Sequence, residues 1–429
     1  MHRLTQMIKD DMKPALGVTE PGAIAFAAAK ARSYTQGPID SVMVAMNSGM
    51  YKNAFTCGIP NSNEVGNIFS AALGVVAGDC EKGLEALANV TPADNITAKK
   101  LVDEGKIKVK LSGITSDIFI EATVKTPTDE CTVTIKDSHT NIVRIVANGK
   151  VEFEAEAEEK ENLDGQPGGG HEIHSYTLEQ LVDYAKTVPL SEIEFIQDAY
   201  KVNMELFNEG LNSSRTTFAR YLKKVNGDKI ISDDVLKTAQ LLCNAAIEAR
   251  VIGLDKPAMS ITGSGAHGII ATMPLYAEYK VKCLSEEKLL RATALSYLVC
   301  MYIKEYSGRL SAFCGCAIAA GTGMACALIF LRDGSVEQMA HTINNMASSI
   351  TGMICDGGNQ GCTMKGIVAV DAAFKSVDLA MNNTYIFNVH GINGKNPELT
   401  MKHMGLIASP GMVGTEKTIV EIFEGKLSE

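Results

Sequence analysis

The chain has 429 residues, 46% of them hydrophobic and 21% charged, which excludes a chain disordered throughout and makes two domains the natural partition. Acidic residues outnumber basic ones by 50 to 40, and the net charge of −10 argues against a nucleic-acid or anionic-membrane partner and for a small molecule. Eleven cysteines follow a charged N-terminus, MHRLTQMIKDDMK, without an apolar leader, so reduced thiols in a cytoplasm are expected; there, clustered cysteines serve as ligands or nucleophiles.

In chain order, Thr19-Glu20-Pro21 precedes AIAFAAAKA and signals a helix start, with a cap-competent Thr, an acid in the first turn and Pro near the first helical position. Residues 41–46 read as a short strand, NSGMYKNAFTCGIPNSN as a loop, and residues 64–77 as a helix. IKVKLS, DIFIEATVKT and CTVTIKD then alternate apolar and polar residues as half-buried antiparallel strands do. Asn148-Gly149, between IVRIV and VEFEA, is a hairpin signal. The acidic, then glycine-rich run EAEAEEKENLDGQPGGGHEIHS reads as a linker or polar loop, although His171 and His174 have a spacing that a metal accepts. Beyond Thr177 long helical patterns take over, most opening on Ser, Thr or Asp and closing on Gly. The expected architecture is an α+β N-terminal domain over residues 1–165, a linker over 166–176 and an all-α C-terminal domain over 177–429. Residues 310–331 carry no charge, but their Ala, Gly, Ser and Cys content predicts a buried helix and no membrane span.

Three constellations bear on chemistry. Cys314, Cys316, Cys355 and Cys362 gather near glycine-rich breaks in the helical half; they lack the doublets of zinc ribbons, so a metal or cluster site, buried structural thiols and a redox pair all stay open. Gly263-Ser264-Gly265-Ala266-His267-Gly268 matches the spacing of a dinucleotide turn, yet the helical SEEKLLRATALSYLV follows where a strand is needed, so the turn reads as a backbone pocket with His267 as proton shuttle or structural hydrogen-bonder. Thr19-Glu20-Pro21 offers N–H groups at a helix start that suit either capping or a carboxylate.

ALGVTEPGAIAFAAA, MNSGMYKNAFTCGIP, SITGSGAHGII, SGRLSAFCGCAIAAGTG and NNMASSITGMICDGGNQGCTMK, in this order, resemble the iron–sulfur L-cysteine desulfidases and the alpha part of iron–sulfur L-serine dehydratases. The resemblance implies a 4Fe-4S cluster in the helical domain near the domain interface, held by Cys316, Cys355 and Cys362, with one iron not held by cysteine and Cys314 a neighbour. It further implies a cytoplasmic lyase that β-eliminates from a small L-amino acid, cysteine or serine, with Thr19, Ser48, Lys52, Asn53, Gly263, Ser264 and Gly265 around the substrate. Glu20, His267 and Lys52 become the catalytic candidates. The N-terminal residues are then expected to face the glycine turn across the interface. Two departures stand out: Val18 where the desulfidases carry a cysteine, and Ala266-His267 in a turn that reads GSGNQG there; Cys57 is a substitute thiol or a buried structural one. The rival readings are a pyridoxal-phosphate lyase using Lys52 or Lys365, and a non-catalytic amino-acid-binding or redox-sensing protein. No nucleic acid or membrane partner is expected, and a homo-oligomer is left open.

Overall fold

The computed structural model describes residues 1–155, 172–308 and 310–426. Strand β1 (Lys13–Leu16) precedes β2 (Ser41–Asn47), β3 (Ile107–Gly113), β4 (Phe119–Lys125), β5 (Glu130–Lys136), β6 (Ile142–Ala147) and β7 (Lys150–Glu154), and the last six form one sheet in the order β3-β2-β4-β5-β6-β7. The period-two pattern works as read: Ile120, Ala122 and Val124 of β4 and Cys131, Val133 and Ile135 of β5 are buried, on strands packed against the alanine-rich helix Thr19–Arg32. Alanine side chains let that helix lie close to the sheet. Asn148 and Gly149 both take positive φ, 49° and 77°, as the two-residue hairpin turn requires. The sheet is nevertheless mixed. β2 and β3 run parallel because β3 returns through the helices Gly66–Ala77 and Pro92–Asp103, whereas the hairpin-linked strands are antiparallel. The edge strand β7 is exposed along its whole length and presents Lys150, Glu152 and Glu154, charges that discourage pairing with another chain.

The C-terminal half is mostly but not wholly helical. Strand β8 (Pro257–Ser260) pairs antiparallel with β1, Lys13 opposite Ser260 and Leu16 opposite Pro257. The helix Arg3–Asp11 before β1 packs on the helix Glu286–Ser307, and Thr5 shares a 2.8 Å hydrogen bond with Tyr184. The first sixteen residues thus belong to the helical body in space. The linker expected over 166–176 lies outside the described residues as far as residue 171, His171 included. His174 is described, in a short turn (Glu172–Ser175); its Nε2 lies 3.0 Å from the Tyr302 carbonyl and its ring stacks on Tyr306, so it is packed and not part of a polar loop.

The uncharged run enters through a π-helical turn (Cys316–Ala320) and continues as the helix Gly321–Leu331. Gly323 allows this helix to meet Glu286–Ser307 backbone to backbone, since a Cβ there would overlap the Ser296 carbonyl. Among the described residues no helix is long and apolar enough to cross a membrane.

The C-terminal helix Val413–Lys426 returns to the first half and packs on the short helix Ser48–Ala54. Its anchor is an ion pair: Lys52, 1% exposed, places Nζ 2.8 Å from Glu416 Oε2 and 3.0 Å from the Ser311 carbonyl. Burial works against the charged ammonium, but the neighbouring Cys355 and Glu416 overcome this and raise the lysine above its ordinary value. Removing one partner leaves the other charge stranded. Glu416→Ala is expected to lower stability by about 3–5 kcal/mol, read as an earlier urea midpoint at unchanged slope, and Lys52→Met with Glu416→Leu should recover most of the loss.

Candidate active site

The cysteine segments meet through backbone pairing. Phe313 and Ile354 form an antiparallel bridge, Cys314 N–H donates to the Met353 carbonyl at 2.9 Å, and Cys355 N–H donates to the Ala312 carbonyl at 2.6 Å. After Cys355 the chain turns at Gly357, whose φ of 98° is open to glycine and whose missing Cβ makes room for the Lys52 carbonyl. Gly358 N–H then donates to the Asn53 carbonyl at 3.0 Å, and Cys362 lies in the first turn of the helix Gly361–Met381. The side chain of Asn53 completes the join: Nδ2 donates to Glu20 Oε1 at 2.8 Å, and Oδ1 accepts from Cys355 Sγ at 3.8 Å.

A small, partly open cavity of about 90 Å³ lies beside this join. Glu20, Asn53, Gly263, Ser264, His267, Cys316 and Cys355 line it, together with Ser138, His139, Lys304 and Ser311. The first-half residues Glu20 and Asn53 and the glycine turn therefore share one space. Other predicted residues lie outside it. Thr19 donates its hydroxyl to the Gly263 carbonyl at 3.2 Å and so ties its helix to the turn without capping it; Val18 is the N-cap and makes no side-chain cap bond. Ser48, in a helix and not the expected loop, exchanges hydrogen bonds with Thr115. Lys52 is committed to Glu416, and Gly265 is pressed against Arg250. Cys57 is fully buried against the Ala54 carbonyl, which suits a structural thiol. Val18, also buried, packs on Gly358 in the cysteine turn.

Cys362 stands behind the cavity with Sγ 3.4 Å from the Gly357 carbonyl, where burial and the charge of Cys355 push its thiol up to about 12. Cys316 feels the charges of Cys314, Cys362 and Cys355, so all four thiols lie within one another's electrostatic reach. The hydrogen bond from Cys316 holds Cys314 down at about 7 against its burial and raises Cys316 in turn. Cys314 does not line the cavity. Among the described residues no three His, Cys, Asp or Glu side chains close around a single metal ion.

Thr262 Oγ1 lies 2.7 Å from the Ile261 carbonyl and 2.5 Å from His267 Nδ1, which anchors that edge of the ring and leaves Nε2 as the nitrogen turned toward Gly315. Burial, then the charges of Lys304 and Arg250, lower this imidazole well below its ordinary value and keep it neutral. Nε2 faces Gly315, beside Cys316; a Cβ at Gly315 would lie 2.7 Å from it and 3.1 Å from Lys304 Cδ.

The sequence reading missed Lys304, His139 and Glu416. Lys304, 6% exposed, donates to the Gly308 carbonyl at 2.8 Å, and burial lowers it below the usual lysine range. It stands in a long helix where a lysine looks like any solvated one. His139 sits on the turn between β5 and β6 with Nε2 3.9 Å from Glu20 Oε1, and only the fold of the sheet brings it there. The glycine turn joins β8 to a helix, but β8 belongs to a two-stranded antiparallel pair, not the parallel sheet that a dinucleotide fold requires. The lysines of the pyridoxal-phosphate reading are both spoken for: Lys52 by Glu416, Lys365 by close contact with Asp356.

Residues 81–421 match the serine dehydratase alpha chain family. Proteins named UPF0597 are similar along nearly the whole chain: one from Clostridium botulinum is 39% identical over 98% of this chain and 97% of its own. One from Caldanaerobacter subterraneus subsp. tengcongensis is 36% identical over 98% and 97%, and one from Aeromonas hydrophila 34% identical over 98% and 95%. A family match over most of the chain, and relatives of this identity along its full span, agree with the cysteine turn and the cavity beside it: the chain belongs to the serine dehydratase alpha chain family.

Proposed function

We infer that the protein is an iron–sulfur lyase that removes the β-substituent of a small L-amino acid, L-serine or L-cysteine first. The observation that carries this is the meeting, at one small cavity, of Cys316 and Cys355 with a neutral imidazole whose Nε2 lies against Gly315, the residue before Cys316. Thiolates are the ligands of iron–sulfur clusters. Cys316, Cys355 and Cys362 would hold the cluster and leave one iron without a cysteine, with Cys314 as a buried neighbour. When bound, such a cluster supplies through its cysteine-free iron a Lewis acid for the leaving group. Eleven free cysteines are in keeping with a reducing cytoplasm.

The residues of the chain supply the rest. His267 Nε2 takes the α-proton, and the electron pair of the C–H bond forms the Cα–Cβ double bond as the Cβ–O or Cβ–S bond breaks. The β-substituent leaves with its electron pair and, once protonated, is water or hydrogen sulfide. The aminoacrylate that remains tautomerises and hydrolyses to pyruvate and ammonia. Glu20, held by Asn53, orients the substrate.

Anaerobic reconstitution with iron and sulfide tests this directly. A broad absorbance near 400 nm that bleaches in air, with ammonia released from L-serine or L-cysteine, is the expected result; ligand binding without ammonia release by fully loaded protein would favour a binding protein. Cys316→Ser, Cys355→Ser and Cys362→Ser should each abolish colour and turnover, whereas Cys314→Ser keeps part of both. His267→Gln should keep the absorbance and lower kcat by about 10²–10⁴-fold, the usual contribution of a general base.

A further inference from the structure

An α-amino acid brings three things to any site: a carboxylate, an ammonium and, on the carbon that joins them, the hydrogen to be removed. A cation that holds the carboxylate must therefore stand next to the base that takes the α-proton. Lys52, the cation suggested by sequence, cannot serve, because its ammonium is matched by the Glu416 carboxylate and its side chain does not line the cavity. Among the described lining residues, thiols and imidazoles apart, the charged side chains are Glu20 and Lys304. Lys304 stands where the geometry asks: its stem and His267 Nε2 press on the same Gly315 from within the cavity. The carboxylate of Glu20 offers the complementary end. Asn53 and His139 both approach Oε1, which leaves Oε2 for an ammonium.

We propose that Lys304 binds the substrate carboxylate and Glu20 the substrate ammonium, so that the cavity selects α-amino acid zwitterions over amines and over simple carboxylic acids. This rests on the reading of the cavity as the substrate site. The desolvated walls strengthen both contacts and penalise a ligand that leaves either charge unpaired, so discrimination comes from the missing group as much as from the one present.

Calorimetry on the anaerobically prepared full chain tests the proposal without turnover, using L-alanine, which has no leaving group; L-alaninol, with a hydroxymethyl in place of the carboxylate; and propionate, which lacks the ammonium. Wild type is expected to bind L-alanine at least about tenfold more tightly than either analogue. Lys304→Gln should weaken L-alanine by about 100-fold and leave L-alaninol within about threefold, and Lys304→Arg should keep an intermediate affinity. Glu20→Gln should mirror this, losing L-alanine while sparing propionate. Equal binding of L-alanine and L-alaninol by wild type, or unchanged L-alanine affinity in Lys304→Gln, overturns the assignment. If the Gln variant does not fold, Lys304→Arg and the wild-type series decide it, since an unchanged L-alanine to L-alaninol ratio in the Arg variant overturns it too. Ammonia release with an unaltered KM in Lys304→Gln would remove this assignment alone, whereas absence of both binding and ammonia release removes the lyase reading with it.

Discussion

A fully buried ammonium governs how the ends of this chain are arranged. Lys52 sits in a short helix with almost no access to water, where an unpaired charge would be costly, and the fold answers by bringing Glu416 back from the C-terminal helix and the Ser311 carbonyl from the segment ahead of the cysteines. Those two contacts fix three pieces of chain against one another. The same helix then holds the cysteine turn, its Lys52 carbonyl packed against Gly357 and its Asn53 carbonyl bonded to Gly358. The lysine is best understood as the post around which the cavity is built, which is why a residue with no access to the cavity still bears on its shape.

Much of this was legible in the sequence where the signal is local. The alternation of β4 and β5, the Asn148-Gly149 hairpin and the glycine-rich breaks around the cysteines are set by neighbours within a few residues, and each appears where expected. What escaped depends on partners far along the chain. Neither β1 nor β8 has a period that demands a strand, since each has only four residues; their pairing stabilises both and carries the N-terminal helix to the other half of the molecule. Thr19 has the chemistry of a cap, but the helix begins on Thr19 itself with Val18 at the cap position, and its hydroxyl donates across to the Gly263 carbonyl instead. A lysine reads the same on paper whether it is solvated or buried, so Lys52 and Lys304 were told apart only by their surroundings.

The match to the serine dehydratase alpha chain family spans residues 81–421 and so takes in the cysteine and glycine motifs, while Val18 lies ahead of it. Val18 packs its methyl groups on Gly358, inside the turn that carries Cys355 and Cys362. An apolar, β-branched side chain there supports the backbone of the turn by contact and adds no donor to the site. Ala266 likewise contributes a methyl to the first turn of its helix and leaves the polar work to His267. Both side chains lie outside the cavity and act on it only through the backbone they support.

The bonds that close the cavity are long in sequence: Thr19 to Gly263 spans 244 residues and Cys355 to Asn53 spans 302. The charge on Lys52 is matched later still, by Glu416 in the last helix. The sheet and its hairpins can assemble from near neighbours, but the buried charge of Lys52 stays unmatched until the helix Val413–Lys426 has docked. Assembly of the site is thus tied to that docking, and loss of the helix Val413–Lys426 would leave Lys52 buried and unmatched directly beneath the cysteine turn.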